Sequence, residues 1–382
     1  MRVALVHDWL DSWGGGEGVL AELLRVFPGA DVYTLVDFLR SEDRARLGTA
    51  RIATSSLQHV PGARRWFRYA AALRPELIER FDLDGYDVVV SDSHAIAKGA
   101  RVRAGQVHVC YCHTPARFAW TMTATYAERA SAGMAWRRPL VGRALERFRR
   151  WDRAASKRVD RFVANSRHIA AAIARCYGRE ADVVHPPVDV ERFSIASGGR
   201  DEAGTDYVTV SRLVPYKRID ILVEAFRALP DRRLIIIGDG PERSRLEALG
   251  VPNVVYMGRQ DDSETARHVA AARAFLFAAE EDFGIAPVEA QAAGIPVIAY
   301  GRGGVLESIR GQHRTRPTGR FFDVQEPWAV VDAVRTFESK GEPITAAACR
   351  ENALRFAPAR FRDEMARIVD TAIATRARAR AG

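Results

Sequence analysis

The chain has 382 residues, 47% hydrophobic and 27% charged, with a formal net charge of +9. That length predicts two domains rather than one core, and the lack of any apolar run of about eighteen residues excludes a spanning helix. Cys110, Cys112, Cys176 and Cys349 form no CxxC pair or zinc spacing, and the start MRVALVHDW meets an acid where a secretory leader would stay apolar, so a reduced, cytoplasmic protein is expected.

The first predicted strand is RVALVHD (2–8), followed by GGGE (14–17) and a helical segment, GVLAELLRVF. ADVYTLV, YDVVVSDS, VHVCYCH and RFVANS read as further strands with amphipathic segments between them, and another strand ends at His185. Two prolines and a Ser/Gly-rich stretch (194–206) then have linker chemistry. The alternation restarts with YVTVSRL, RRLIIIGDG, NVVYMG, AFLFAAE and IPVIAYG. Short Val/Ile-rich runs bounded by Gly, Pro or Asp suit strands buried on both faces, and their alternation with helices predicts parallel α/β sheets. The expected division is 1–190 and 191–358, and the basic end of 359–382, TRARARAG, is expected to fray.

The segment AAEEDFGIAPVEAQAAGIPVIAYGRGG (278–304) has the strongest pattern. A strand ends in acids, Pro287 suits the first turn of a helix, and Gly294 suits its stop. Backbone N–H groups around 284–288 would point off a helix start, a ready anion site, with Glu289 in that first turn. A tight strand–helix turn carrying a charge-favourable Glu explains the same residues without a ligand.

Glu281 and Glu289 stand eight apart, and FGIAPVEAQAAGIPVIA around them resembles the E-x7-E signature of retaining glycosyltransferases of family four. GGGE, SRLVPYKRID (211–220) and GDGPE (238–242) agree with that family in order and spacing, and YCHTPARFAW (111–120) and VHDWLDSWGGGE resemble its bacterial mannosyltransferases. The resemblance spans essentially the whole chain. It implies an α/β protein of the GT-B fold, with two Rossmann-like domains facing across a cleft, the first on the acceptor side and the second binding donor, and a C-terminal helix over 359–382 that crosses back to the first domain. It further implies retaining transfer of a hexose, mannose from GDP-mannose, to a hydroxyl acceptor in surface-polysaccharide or lipid-linked glycan assembly. The donor is a co-substrate; no cofactor and no metal are implied.

By the same resemblance Arg212 and Lys217 contact the diphosphate, Glu281 faces the transferred sugar, Glu289 binds the ribose hydroxyls and His113 lies near the donor sugar. Gly258, Arg259, Phe283, Gly284 and Ile285 complete the donor set; Gly15 and Gly16 border its phosphates, and Glu17 touches the acceptor. The physical rationale is independent of the family. Two cations where charge grows on a leaving phosphate favour the transition state, and a carboxylate accepts two hydroxyl hydrogen bonds from a diol. Three acids run together at 280–282, so a neighbour could take the role of Glu281. His7 and His108 read as core, and Ser166 as a helix cap.

Competing patterns fail. Val19 and Glu17 stand where a dinucleotide fingerprint needs its last glycine, and the D-x-D in FDLDG (81–85) precedes its strand, at the wrong end of a sheet for a ligand. A sugar-nucleotide epimerase of the same fold, a transferase using another nucleotide-sugar and a non-catalytic sugar-binding protein remain as alternatives. Residues 136–161 hold ten Lys/Arg against three Asp/Glu, with Trp136, Leu140, Phe148 and Trp151 interleaved. They predict either a peripheral contact with the inner face of the plasma membrane or a core-packed helix with a solvated arginine face. No nucleic-acid motif accompanies the charge.

Overall fold

A computed structural model describes residues 1–131, 137–197, 204–339 and 344–381. The chain divides into two units, Met1–Pro187 with Phe361–Gly382, and Val188–Arg360. In the first, β1 (Val3–His7), β2 (Asp31–Thr34), β3 (Ile52–Thr54), β4 (Val88–Ser93), β5 (Val107–Cys112), β6 (Arg161–Ala164) and β7 (Ala181–Val183) form one parallel sheet in the order β3-β2-β1-β4-β5-β6-β7. Every residue of β1, β4 and β5 is buried, which is why their apolar residues do not alternate with exposed polar ones. Alternate side chains serve opposite faces: Val3 and Leu5 pack with one core, Ala4 and Val6 with the other.

In the second unit, β8 (Tyr207–Val210), β9 (Leu234–Ile237), β10 (Val254–Gly258), β11 (Ala274–Phe277), β12 (Val297–Tyr300) and β13 (Gly319–Phe322) form a parallel sheet in the order β10-β9-β8-β11-β12-β13. Each sheet therefore reverses its strand order once, between β1 and β4 and between β8 and β11. Loops at the carboxyl ends of such neighbouring strands splay apart and leave room for a ligand.

Several expectations change. The first unit's leading segment ends at Pro187, and the start of the expected linker belongs to the helix Val190–Ser197, because Val188, Val190 and Phe193 are buried in the second unit's core. Residues 198–203 of the polar stretch lie outside the described residues. The basic tail is helical through Ala381. Phe361, Met365, Val369 and Ala372, a stripe at helical spacing, bury in the first unit's core, and Arg376 reaches Asp160 at 2.8 Å. Ser166 caps the helix Arg167–Tyr177, accepting from Ile169 N–H at 3.1 Å.

The basic segment forms the helix Arg138–Ser156, and its aromatic residues do not face outward. Phe148 is buried against Phe118, with ring centroids 4.7 Å apart. Trp151 donates to Glu79 at 2.8 Å, and its ring lies so close to Gly99 that a Cβ there would approach it to 2.5 Å. Leu140 is exposed; Trp136 lies outside the described residues. The helix is pinned by a buried ion pair, Lys98 Nζ to Asp152 Oδ1 at 2.7 Å, and Asp152 also accepts from Trp120 and Tyr177 at 2.8 Å each.

Candidate functional site

In the second unit the carboxyl end of β8 runs into Arg212, a one-turn helix at Pro215–Lys217, and then Arg218 in a left-handed conformation (φ 52°). A non-glycine residue pays a conformational cost there, a feature concentrated at functional turns. The bend presents Lys217 to Glu281, which follows β11, and the two form an ion pair. Lys217 Nζ also lies 5.6 Å from the Tyr216 ring centroid and 6.0 Å from that of Phe277. Of the three neighbouring acids, Glu280 is exposed, and Glu281 is the one paired with Lys217.

The loop after Glu281 is clamped by a second glycine loop. Gly304 N–H donates to Glu281 O at 2.7 Å. A Cβ at Gly303 would stand 2.3 Å from Glu281 O, and one at Gly304 would stand 2.1 Å from Asp282 O. The sequence reading assigns these glycines of the 278–304 segment no role; their signal is a GG pair two residues beyond the Gly301 that follows β12. Similarly, Gly240 of GDGPE lies against Leu213, where a Cβ would stand 2.2 Å from its carbonyl. Gly284 (φ 87°) precedes the helix Ile285–Ala292 and supplies no side-chain cap, so the first-turn N–H groups remain available.

Other assigned residues fall differently. The Phe283 side chain is buried against Phe356, ring centroids 5.2 Å apart, so what Phe283 can offer a ligand is its backbone. Glu289 is the fifth residue of its helix, in the second turn rather than the first. It meets Arg192 at 3.4 Å, a partner on the helix Val190–Ser197 to which the sequence reading gives no role. Burial, opposed by Arg192 and reinforced by Asp262 and Asp189, pushes its carboxyl up to about 7. Arg212 and Arg259 are exposed, at the ends of β8 and β10. Gly258 is buried (φ 69°), its carbonyl accepting from Gly238 at 2.8 Å.

In the first unit, Gly15 and Gly16 open the helix Gly15–Val26, and Gly14 gives no side-chain cap. Gly16 sits beside two histidines; a Cβ there would lie 3.8 Å from His7 Cε1 and 3.9 Å from His113 Nε2. Asp92, at the end of β4, joins them: His113 Nε2 lies 2.6 Å and His7 Nδ1 2.9 Å from its two oxygens. Glu17 is turned toward His7, 3.8 Å from Nε2. Next to His7, Asp8 accepts the backbone N–H groups of His94, Ala95, Ile96 and Ala97 at 2.5–2.9 Å. His7 was read as core; it is buried, but within this polar cluster. His108 is buried on β5, bonded to Ser91 at 2.9 Å, and burial lowers it to about 3.

Burial works against charge on His7 and His113, but Asp92 outweighs it for both, with Glu17 adding to His7, which is raised to about 10. Asp92 is held below the usual carboxylate range, because the two histidines overcome its burial. Each unit thus gathers charged and polar groups at the carboxyl edge of its sheet, where strand order reverses.

Comparison with known proteins agrees with this architecture. Residues 13–192 match the Glycosyltransferase Family 4 description and residues 190–356 match Glycosyl transferases group 1. The chain belongs to the family-four glycosyltransferases, with two parallel-sheet α/β domains of the GT-B type. It is 32% identical over 173 residues to a D-inositol 3-phosphate glycosyltransferase of Mycobacterium sp. (strain KMS), 40% of this chain and 39% of that protein. It is 36% identical over 160 residues to a GDP-mannose-dependent monoacylated alpha-(1-6)-phosphatidylinositol monomannoside mannosyltransferase of Corynebacterium glutamicum, 35% of this chain and 42% of that protein. Each match thus spans about two fifths of the relative. The fold is similar to Anabaena HepE, solved with UDP (TM-score 0.71, 18% identity, 97% of this chain and 100% of that one). It is also similar to sucrose-phosphate synthase from Thermosynechococcus elongatus (TM-score 0.70, 18% identity, 98% and 100%).

Proposed function

We propose that this protein transfers mannose from GDP-mannose, with retention, to a hydroxyl of a lipid-linked or surface-polysaccharide acceptor. The observation that carries the transferase reading is the Lys217–Glu281 pair at the β8/β11 switch point, beside the uncapped start of Ile285–Ala292. A cation and helix-start amides meet the charge that grows on a departing diphosphate, while Glu281 takes sugar hydroxyls and Glu289 a ribose diol. Arg212 and Arg259 add cations, and Gly258, Gly284 and Ile285 let the ligand approach the backbone. The leaving phosphate itself takes the acceptor's proton, so no separate base is needed. Mannose and the guanine base are favoured by the likeness to the corynebacterial mannosyltransferase.

Calorimetry with GDP, UDP, ADP and dTDP tests the donor. Ligand at 100 times its dissociation constant adds about 2.7 kcal/mol of stability. GDP should bind tightest, and a tighter UDP would move the assignment to a UDP-sugar. Incubation with GDP-mannose and no acceptor separates the epimerase reading, which alone yields an altered nucleotide-sugar. Because cations and amides already serve the phosphates, transfer should continue in excess EDTA. Complete loss, restored by magnesium or manganese, would overturn that part.

A lipid-linked acceptor fits the charge of the first unit. Arg138, Arg143, Arg147, Arg150 and Arg153 are exposed on one helix. The exposed apolar groups come mainly from the helix Ala63–Leu73, which shares a core with it: Trp66, Tyr69 and Leu73, on one helical stripe. Together they suit the surface of an anionic bilayer.

A further inference from the structure

The first unit contains a buried charge array that none of its motifs announces. β1, β4 and β5 are neighbours in the sheet, so His7, Asp92 and His113 emerge side by side at their carboxyl ends. His7 and Asp92 are fully buried, and the His113 side chain is 15% exposed. We propose that Asp92 and His7 are positioning residues for the transfer reaction, acting through His113: Asp92 holds Nε2 of His113 so that Nδ1 is the ring nitrogen presented to a substrate oxygen, and His7 secures Asp92 from behind. This rests on the transferase reading above.

The geometry leaves little freedom. One Asp92 oxygen faces Nε2 of His113 at 2.6 Å, and the other faces Nδ1 of His7 at 2.9 Å. A carboxylate can only accept, so the proton in each contact belongs to the imidazole, which sets the tautomer of neutral His113 with hydrogen on Nε2. Protonated His113 then carries its second hydrogen on Nδ1 and donates from it. The ring is also placed through its backbone: His113 N–H donates to Ser93 O at 2.9 Å, and its carbonyl accepts from Asn165 at 3.0 Å. Among the described residues His7 Nε2 has no hydrogen-bond partner, and Glu17 stands 3.8 Å away, so His7 is tied to the array chiefly through Asp92.

The titratable groups around His113 are Asp92 from β4, His7 and Asp8 from β1, His94 after β4 and Tyr111 from β5, its ring centroid 5.2 Å away, while Glu17 from the Gly15–Val26 helix faces His7. Asp92 favours the charged imidazole and His7 disfavours it. The two positioning residues should therefore move the titration of His113 in opposite directions, which a general loss of packing would not do.

The test is the nitrogen NMR titration of His113, with transfer kinetics over pH, in wild type, Asp92→Asn and His7→Gln. Asp92→Asn should shift the His113 midpoint, and the alkaline limb of kcat, to lower pH. His7→Gln keeps a donor for Asp92 but removes the charge, and should shift both to higher pH. Asp92→Asn should lower kcat on the order of tenfold to a hundredfold, as loss of an orienting carboxylate does. In a His113→Ala background the same change should cost less than about threefold, because its route of action is gone. Equal additive losses, or an unshifted His113, would overturn the proposal. Should Asp92→Asn not fold, the His7→Gln shift decides alone. Opposite NMR shifts in a protein that turns over no nucleotide-sugar would support the array and fault the transferase reading instead.

Discussion

Lys217 and Arg212 have different surroundings, and that difference shapes what their loss should do. Lys217 is part-buried against Glu281, whereas Arg212 is exposed at the end of β8. Each contact to a developing phosphate charge is worth roughly 3 kcal/mol, so Lys217→Ala and Arg212→Ala should each slow turnover on the order of a hundredfold, measured as kcat/KM, with unchanged circular dichroism. Near-normal turnover in either folded variant would remove that residue from the site. Glu289 carries a pH signature. Its carboxyl is raised from 4.5 to about 7 in the folded protein, so the folded state holds a proton that the unfolded chain releases earlier. The associated stability is fully present below about pH 4.5 and is lost as pH rises through about 7. Urea unfolding at pH 5 and pH 8 should show that loss, no more than about 3 kcal/mol, in wild type and not in Glu289→Gln. Nucleotide affinity should rise over the same range, as the carboxylate becomes able to accept two hydroxyls.

At the scale of elements, the loop carrying Glu281 is shaped by another loop. Gly303 and Gly304 press on its backbone, and Gly304→Ala must displace it. A shift of about 1 Å at a positioned group can cost about a hundredfold, and that is the loss of turnover expected. Gly142→Ala, whose Cβ would meet nothing within 4 Å, is the control and should be silent or slightly stabilising. The helix Arg138–Ser156 illustrates a different limit. Its charge is exposed while Phe148 and Trp151 are turned into the protein, leaving Leu140 as its exposed large apolar residue among those described, so bilayer attachment through it is mainly electrostatic. Sedimentation with anionic liposomes should succeed at low salt and fail at high salt, each basic residue contributing about 1 kcal/mol near the surface. Trp66→Ala with Tyr69→Ala should weaken what remains. A protein left in the supernatant at low salt would have no such contact.

At the scale of the whole molecule, the first unit is closed by residues from the far end of the chain. Phe361 is fully buried, its ring 5.5 Å from that of Tyr111 on β5, and Arg362 reaches Glu22 at 2.6 Å. Phe361→Ala should therefore lower unfolding stability by about 3–5 kcal/mol, read by urea titration. Truncation before Phe361 should leave the first unit's core open and prone to aggregate. A stable, monomeric truncated protein would show that the stripe of Phe361, Met365, Val369 and Ala372 contributes little.

The sequence by itself determined the class of fold and picked out the segments of the second unit that meet at the ends of β8 and β11. Buried parallel strands leave apolar runs that can be read directly, and Lys217, Glu281 and Gly284 lie in short segments whose spacing carries their meaning. It did not reveal β3 and β13. These edge strands are short and partly exposed, so Ile52–Thr54 and Gly319–Phe322 leave no apolar run. The resemblance puts Phe283 in the donor set along with its neighbours; only packing shows that its ring belongs to the core. Tertiary structure alone decided the array at His113. His7 and Asp92 are 85 residues apart, and no local pattern joins them. They meet because strand order reverses beside β1, placing β4 and then β5 next to it. That order is set by which buried faces pack together over the whole sheet, a property that no single segment contains.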